Sequence, residues 1–103
     1  MYMDTKTLIA EAKARFNHNS AKAYLKDKYD SKLIIAEQGG LWKASVQLIT
    51  FLSATDDEWV ILVDNFDNPV KVNRVILLDK IKDTYSTVME QWHSEWQELE
   101  SKR

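Results

Sequence analysis

The chain has 103 residues, of which 45% are hydrophobic and 11% aromatic, which suits one domain over 1–103 with a modest core. It contains no cysteine, which excludes disulfides, thiol nucleophiles and cysteine metal ligands and is compatible with a cytoplasmic setting. The net charge of −2 disfavours general nucleic-acid binding, and the longest apolar run, Trp59-Val60-Ile61-Leu62-Val63, is far short of the roughly 20 residues a spanning helix needs.

The first residues, Met1-Tyr2-Met3-Asp4, lack a basic start followed by an apolar stretch, so no leader is expected. Asp4 or Thr5 can cap a first helix, along which Leu8, Ile9, Ala12 and Phe16 recur at helical spacing. The polar cluster Asn17-His18-Asn19 is expected to break it. Ser20 then caps a second helix running to about Tyr29, with Ala21, Tyr24, Leu25 and Tyr29 on its apolar face.

Residues 33–44 read as a hairpin. Leu33-Ile34-Ile35-Ala36 and Leu41-Trp42-Lys43-Ala44 form its arms, and Gly39-Gly40 supplies the positive φ angles of a tight turn. For 45–54 the periodicity fits both strand and helix. Ser45 is a good cap, so a short helix over 46–53 is favoured.

A second hairpin is expected over 58–72. Its first strand is apolar on both faces, with Trp59, Ile61 and Val63 on one and Val60 and Leu62 on the other. Both faces therefore call for cover, from helices or from a second subunit. Asn65-Phe66-Asp67-Asn68-Pro69 makes the turn, and Val70-Lys71-Val72 returns as an edge strand.

Asn73 caps a long final helix over 74–100, striped by Leu78, Ile81, Tyr85, Val88, Trp92 and Leu99 and widened by Met89 and Trp96. The fold class is α+β: two N-terminal helices, a small, mainly antiparallel sheet and this helix laid across it. At 1.5 Å per residue the helix is about 40 Å long, whereas a compact domain of this size is roughly 33 Å across. The stripe does not fade toward the end, so Tyr85, Val88, Met89, Trp92, Trp96 and Leu99 are candidate interface residues. The expected partner is a second copy or another protein.

Catalytic chemistry is not apparent. The two glycines are adjacent rather than spaced as a phosphate loop requires, and neither a glycine-flanked serine elbow nor a paired-histidine zinc motif is present. His18 lies in a polar stretch, and His93 borders the aromatic stripe without a second histidine. Asp56, Asp57 and Glu58 stand about 20 Å from Asp64 and Asp67 along an intervening strand, and turn chemistry accounts for them better than a metal does. The expectation is a protein with no catalytic residue, cofactor or metal. The charge is uneven: residues 1–32 carry seven basic and four acidic side chains, whereas 33–70 carry one and six. Lys13, Arg15, Lys22, Lys26, Lys28 and Lys32, interleaved with Tyr24 and Tyr29, form the alternative reading of a nucleic-acid surface.

The stretches Gly39-Gly40-Leu41-Trp42-Lys43-Ala44 and Asp67-Asn68-Pro69-Val70-Lys71-Val72-Asn73-Arg74, with the tryptophan-rich helix that follows, resemble small uncharacterised proteins of contractile-tailed phages over about half the chain. The resemblance implies a phage-encoded accessory or assembly protein acting in a host cytoplasm, and it transfers no site residues.

Overall fold

The computed structural model describes residues 5–102. Seven elements follow in order: α1 (Thr5–Lys32), β1 (Ile34–Glu37), β2 (Gly40–Lys43), α2 (Val46–Ala54), β3 (Trp59–Val63), β4 (Pro69–Asn73) and α3 (Arg74–Ser101). The α+β character holds, while the arrangement of the elements differs from expectation, first at the N-terminus.

The two expected N-terminal helices are a single helix of 28 residues. Asn17, His18 and Asn19 are mediocre helix formers, each costing only about 0.5–0.7 kcal/mol relative to alanine. No glycine or proline lies between Thr5 and Lys32 to end the helix outright. Ser20 is therefore an interior residue and caps nothing. Asp4, the alternative cap, lies outside the described residues.

The strands form two separate two-stranded antiparallel sheets rather than one. In the first, Ile34 pairs with Lys43 and Glu37 with Gly40, so the tight turn is Gln38-Gly39, not Gly39-Gly40. Both turn residues have positive φ, 51° and 80°, as a two-residue hairpin matched to strand twist requires. Gly40 is needed for another reason. A Cβ there would lie 2.5 Å from Cζ2 of Trp42, whose buried indole donates from Nε1 to the Glu37 carbonyl at 2.8 Å.

Side chains join the hairpins where a continuous sheet would have used backbone. The Gln38 amide accepts from Asn73 N at 2.7 Å and donates to Asn73 O at 3.2 Å, as an extra strand residue would. Buried Asp64 accepts from Leu41 N through Oδ2 and from Phe66 N and Asn68 N through Oδ1, all at 3.0 Å. These amide hydrogen bonds, led by that of Leu41, hold its carboxyl below the ordinary aspartate range. Arg74 closes the α2 end, donating from Nη1 to Leu52 O and from Nε to Asp57 O.

Ser45 caps α2 by accepting from Leu48 N, and Asn73 caps α3 by accepting from Ile76 N, both as the sequence indicates. The core gathers Leu25, Tyr29, Leu33, Trp42, Ala44, Leu52, Val72, Leu77, Ile81 and Val88. It lies in the head, where α2 and β4 pack on α3 and the end of α1 meets β1 and α3.

The molecule is a rod with principal extents of 68 × 25 × 20 Å and a radius of gyration of 20.0 Å. A compact chain of this length has a radius near 13 Å. The long final helix is thus not laid across a small body; a helix of equal length runs beside it.

Gly40→Ala is expected to lower stability by about 1–3 kcal/mol through overpacking against Trp42, and Asn73→Ala by about 1 kcal/mol through loss of the α3 cap. Urea unfolding followed by tryptophan fluorescence measures both.

Candidate functional site

The apolar stripe of α3 meets α1 antiparallel to it. Tyr29, 1% exposed, stacks on Trp92 with ring centroids 6.0 Å apart and an interplanar angle of 10°. Its hydroxyl donates to Glu95 Oε1, the same oxygen that receives Lys28 Nζ at 2.7 Å. Lys32 Nζ stands 5.1 Å from the Tyr29 ring centroid. Further along, His18 Nε2 lies 3.3 Å from Glu100 Oε1.

Hydrogen bonds from Lys28 first and Tyr29 second push the Glu95 carboxyl below its usual range. The same contact raises the Lys28 ammonium and the Tyr29 phenol above theirs. The cluster is a structural clamp. One carboxylate neutralises one ammonium, and no proton is left poised to move near neutral pH.

Of the candidate interface residues, Val88 is buried and Tyr85, Trp92 and Leu99 are half-buried against the molecule's own core. Met89 is half-buried as well, and Trp96 keeps 39% of its surface, with the His93 ring stacked on it at 5.9 Å. Helix α1 therefore occupies the place where a partner was expected over most of the stripe.

The candidate basic residues do not form one face. At 100° per residue Lys13, Lys28 and Lys32 fall on one side of α1 and Arg15, Lys22 and Lys26 on another, roughly 150° round. Lys28 is held by Glu95 and Lys26 by Asp30 at 3.1 Å. Two of them do meet the aromatic stripe: Lys22 and Lys26, with Ala23 and Leu25, line a groove of about 340 Å³ walled by Trp92 and Trp96.

Two apolar surfaces lie outside the fold's needs. The contacts of Tyr29 and His18 set α1 so that its first three turns run past the end of α3. Every residue from Lys6 to Asn17 is exposed. Leu8, Ile9 and Phe16 retain 49%, 53% and 71% of their surface on this arm. At the opposite end, β3 turns Val60 and Leu62 inward and leaves Trp59, Ile61 and Val63 at 51%, 70% and 65% exposed, beside Phe66 at 70%. Only one face of β3 receives the cover its sequence called for. Periodicity alone identified Leu8, Ile9, Ala12 and Phe16 as a stripe, but it gave no sign that the stripe faces water.

Among the described residues no group of three or more histidines and carboxylates stands close enough to hold a metal ion. Asp64 is committed to three backbone amides. No helix among the described residues is long and apolar enough to cross a membrane. The chain matches no family model, no curated protein and no solved structure.

The clamp makes a signed pH prediction. Folding depresses Glu95, so its contribution is complete above the unfolded value of about 4.3 and is lost as pH falls through the folded value. Folding raises Tyr29 and Lys28, so theirs is complete below about 10 and is lost as pH rises. Glu95→Gln is therefore expected to lower the melting temperature at neutral pH. It also flattens both limbs of the stability profile, leaving at the acid end the slope due to Asp64. Calorimetry from acid to alkaline pH checks this.

Proposed function

We propose that this chain is a non-enzymatic assembly protein that associates with itself through the arm of α1. The observation that carries the reading is the exposure of Leu8, Ile9 and Phe16 on the part of α1 that projects past the end of α3. A helical segment of about a dozen residues is marginal in water without packing, and wet apolar side chains forgo about 1.5–3 kcal/mol each. Aromatic and aliphatic residues grouped on an exposed face mark contact surfaces. The uncovered β3 face at the far end offers a second place for a protein partner. Such an arrangement suits a connector, in keeping with the phage accessory role and host-cytoplasm setting that the sequence resemblance implies.

The other reading is a nucleic-acid accessory protein, favoured by the placement of Lys22 and Lys26 beside Trp92 and Trp96, since a base stacks on an indole while its phosphate meets an ammonium. It requires salt-dependent binding that weakens when Lys22 and Lys26 are reversed in sign.

Light scattering over a dilution series is expected to show the mass rising from one chain toward two. Phe16→Asp should hold the protein at one chain while leaving its core fluorescence and unfolding midpoint nearly unchanged. A single-chain mass at every concentration removes the self-association reading.

A further inference from the structure

The two edges of the β3–β4 sheet are treated differently. Glu58 O accepts from Arg74 N at 2.8 Å and Asp64 N donates to Asn68 O at 3.0 Å, so the bonded pairs of this antiparallel ladder fall on the even-numbered residues of β3. The backbone groups of Trp59, Ile61 and Val63 therefore point away from β4, and those of Pro69, Lys71 and Asn73 point away from β3. The β4 edge is guarded at each of its three positions. Pro69 has no N–H to offer, Lys71 carries a charge, and both backbone groups of Asn73 are taken by the Gln38 amide. The β3 edge has no proline, charge or bulge. Among the described residues nothing hydrogen-bonds to its three outward N–H and three outward C=O groups. The same three residues carry the exposed side chains of the outer face.

We propose that the β3 edge receives an extended segment of another protein as a third strand, apolar at alternate positions and carrying lysine or arginine at both ends. An edge of bare N–H and C=O groups specifies an extended backbone, whatever sequence is laid on it. Side chains then select. In the added strand, the residues opposite Trp59, Ile61 and Val63 stand on the same outer face, where β-branched and aromatic side chains pair best with them.

Charge decides between a foreign strand and a second copy. Exposed Asp57 and Glu58 precede β3 and exposed Asp67 follows it. Lys71 Nζ stands 5.8 Å from the Trp59 ring centroid, and the Arg74 guanidinium is held by the carbonyls of Leu52 and Asp57. From Ala44 to Asp79 the chain carries six acidic side chains against these two basic ones. Two β3 strands paired antiparallel about Ile61 would satisfy the same backbone groups. They would also set Asp57 and Glu58 of each copy against the turn from Asp64 to Asp67 of the other. Like charges facing across a strand pair are destabilising, and basic flanks reverse the sign at both ends. The edge is separate from the arm of α1 and does not rest on self-association through it.

The probe is a capped peptide of alternating valine and threonine, five residues long, with two lysines at each end. In the free protein the Trp59, Ile61 and Val63 amides should exchange with solvent quickly and those of Val60 and Leu62 slowly. Saturating peptide should slow the first three by about tenfold or more, as read by nuclear magnetic resonance. Fluorescence anisotropy of the labelled peptide gives the affinity. Glutamates in place of the lysines should weaken binding about tenfold at low salt. N-methylation should weaken it about tenfold on one alternate set of peptide residues and little on the other, because only one set faces β3. Ile61→Pro, which removes an N–H that the ladder does not use, should weaken it similarly, and Phe16→Asp should leave it unchanged. No added protection at the three edge amides overturns the proposal, as does binding indifferent to N-methylation at both sets. Binding that is equal with either flanking charge overturns the basic flanks. Edge amides protected without peptide, increasingly with protein concentration and still so in Phe16→Asp, assign the edge to a second copy instead.

Discussion

The contact between Tyr29 and the last third of α3 sets the shape of this protein. The phenol ring stacks on Trp92 while its hydroxyl and Lys28 share one oxygen of Glu95. Stacking fixes how deep the helices sit, and the forked hydrogen bonds fix how far one slides along the other. With Tyr29 locked at that level, His18 comes level with Glu100, close to the end of α3. From Lys6 to Asn17 the helix is exposed at every residue. The free arm is thus a consequence of register: moved two turns along α3, the same helices would leave less of the arm uncovered.

The head is built by a different device. Two short hairpins cannot each bury enough to stand alone. Here they are linked by polar side chains standing in for missing ladder bonds, Gln38 against the Asn73 backbone and Asp64 against Leu41. Asn65 N also donates to Leu41 O at 2.8 Å. Because Asp64 is buried and acts as an acceptor three times over, its carboxylate is fully employed in architecture. The same holds for Glu95 in the clamp. The ionisable groups with displaced equilibria are those that organise the fold, and each has its partner already in place.

Two groups of exposed apolar residues sit at opposite ends of the rod, on the arm and on the outer face of β3. A protein evolved only to be soluble would place polar side chains there, as it does at Lys26, Asp30 and Glu90 along the shaft. The two exposed apolar surfaces are thus separated along a 68 Å body.

Much of the architecture was legible in the sequence because it is decided locally. Ser45 and Asn73 announce their helices through a side-chain oxygen one turn from an unpaired amide. Both hairpins announce themselves through β-branched runs and turn residues, and the final stripe through its spacing. Three features were not legible, and each depends on contacts distant in sequence. Asn17-His18-Asn19 resembles a break, yet the helix continues because its propensity cost is small and the docked half already supplies the first turns. The Trp92 stripe reads as an interface, yet α1 covers most of it, since periodicity records that a face is apolar and not what lies on it. The Leu8–Phe16 stripe shows helical spacing but not its surroundings, and it is exposed because its fate was set by where Tyr29 and Glu95 meet, 66 residues apart. The sequence by itself determined which faces are apolar and where the elements begin. The tertiary register alone decided which of those faces found cover, because sliding two helices past one another changes no local preference and every long-range contact.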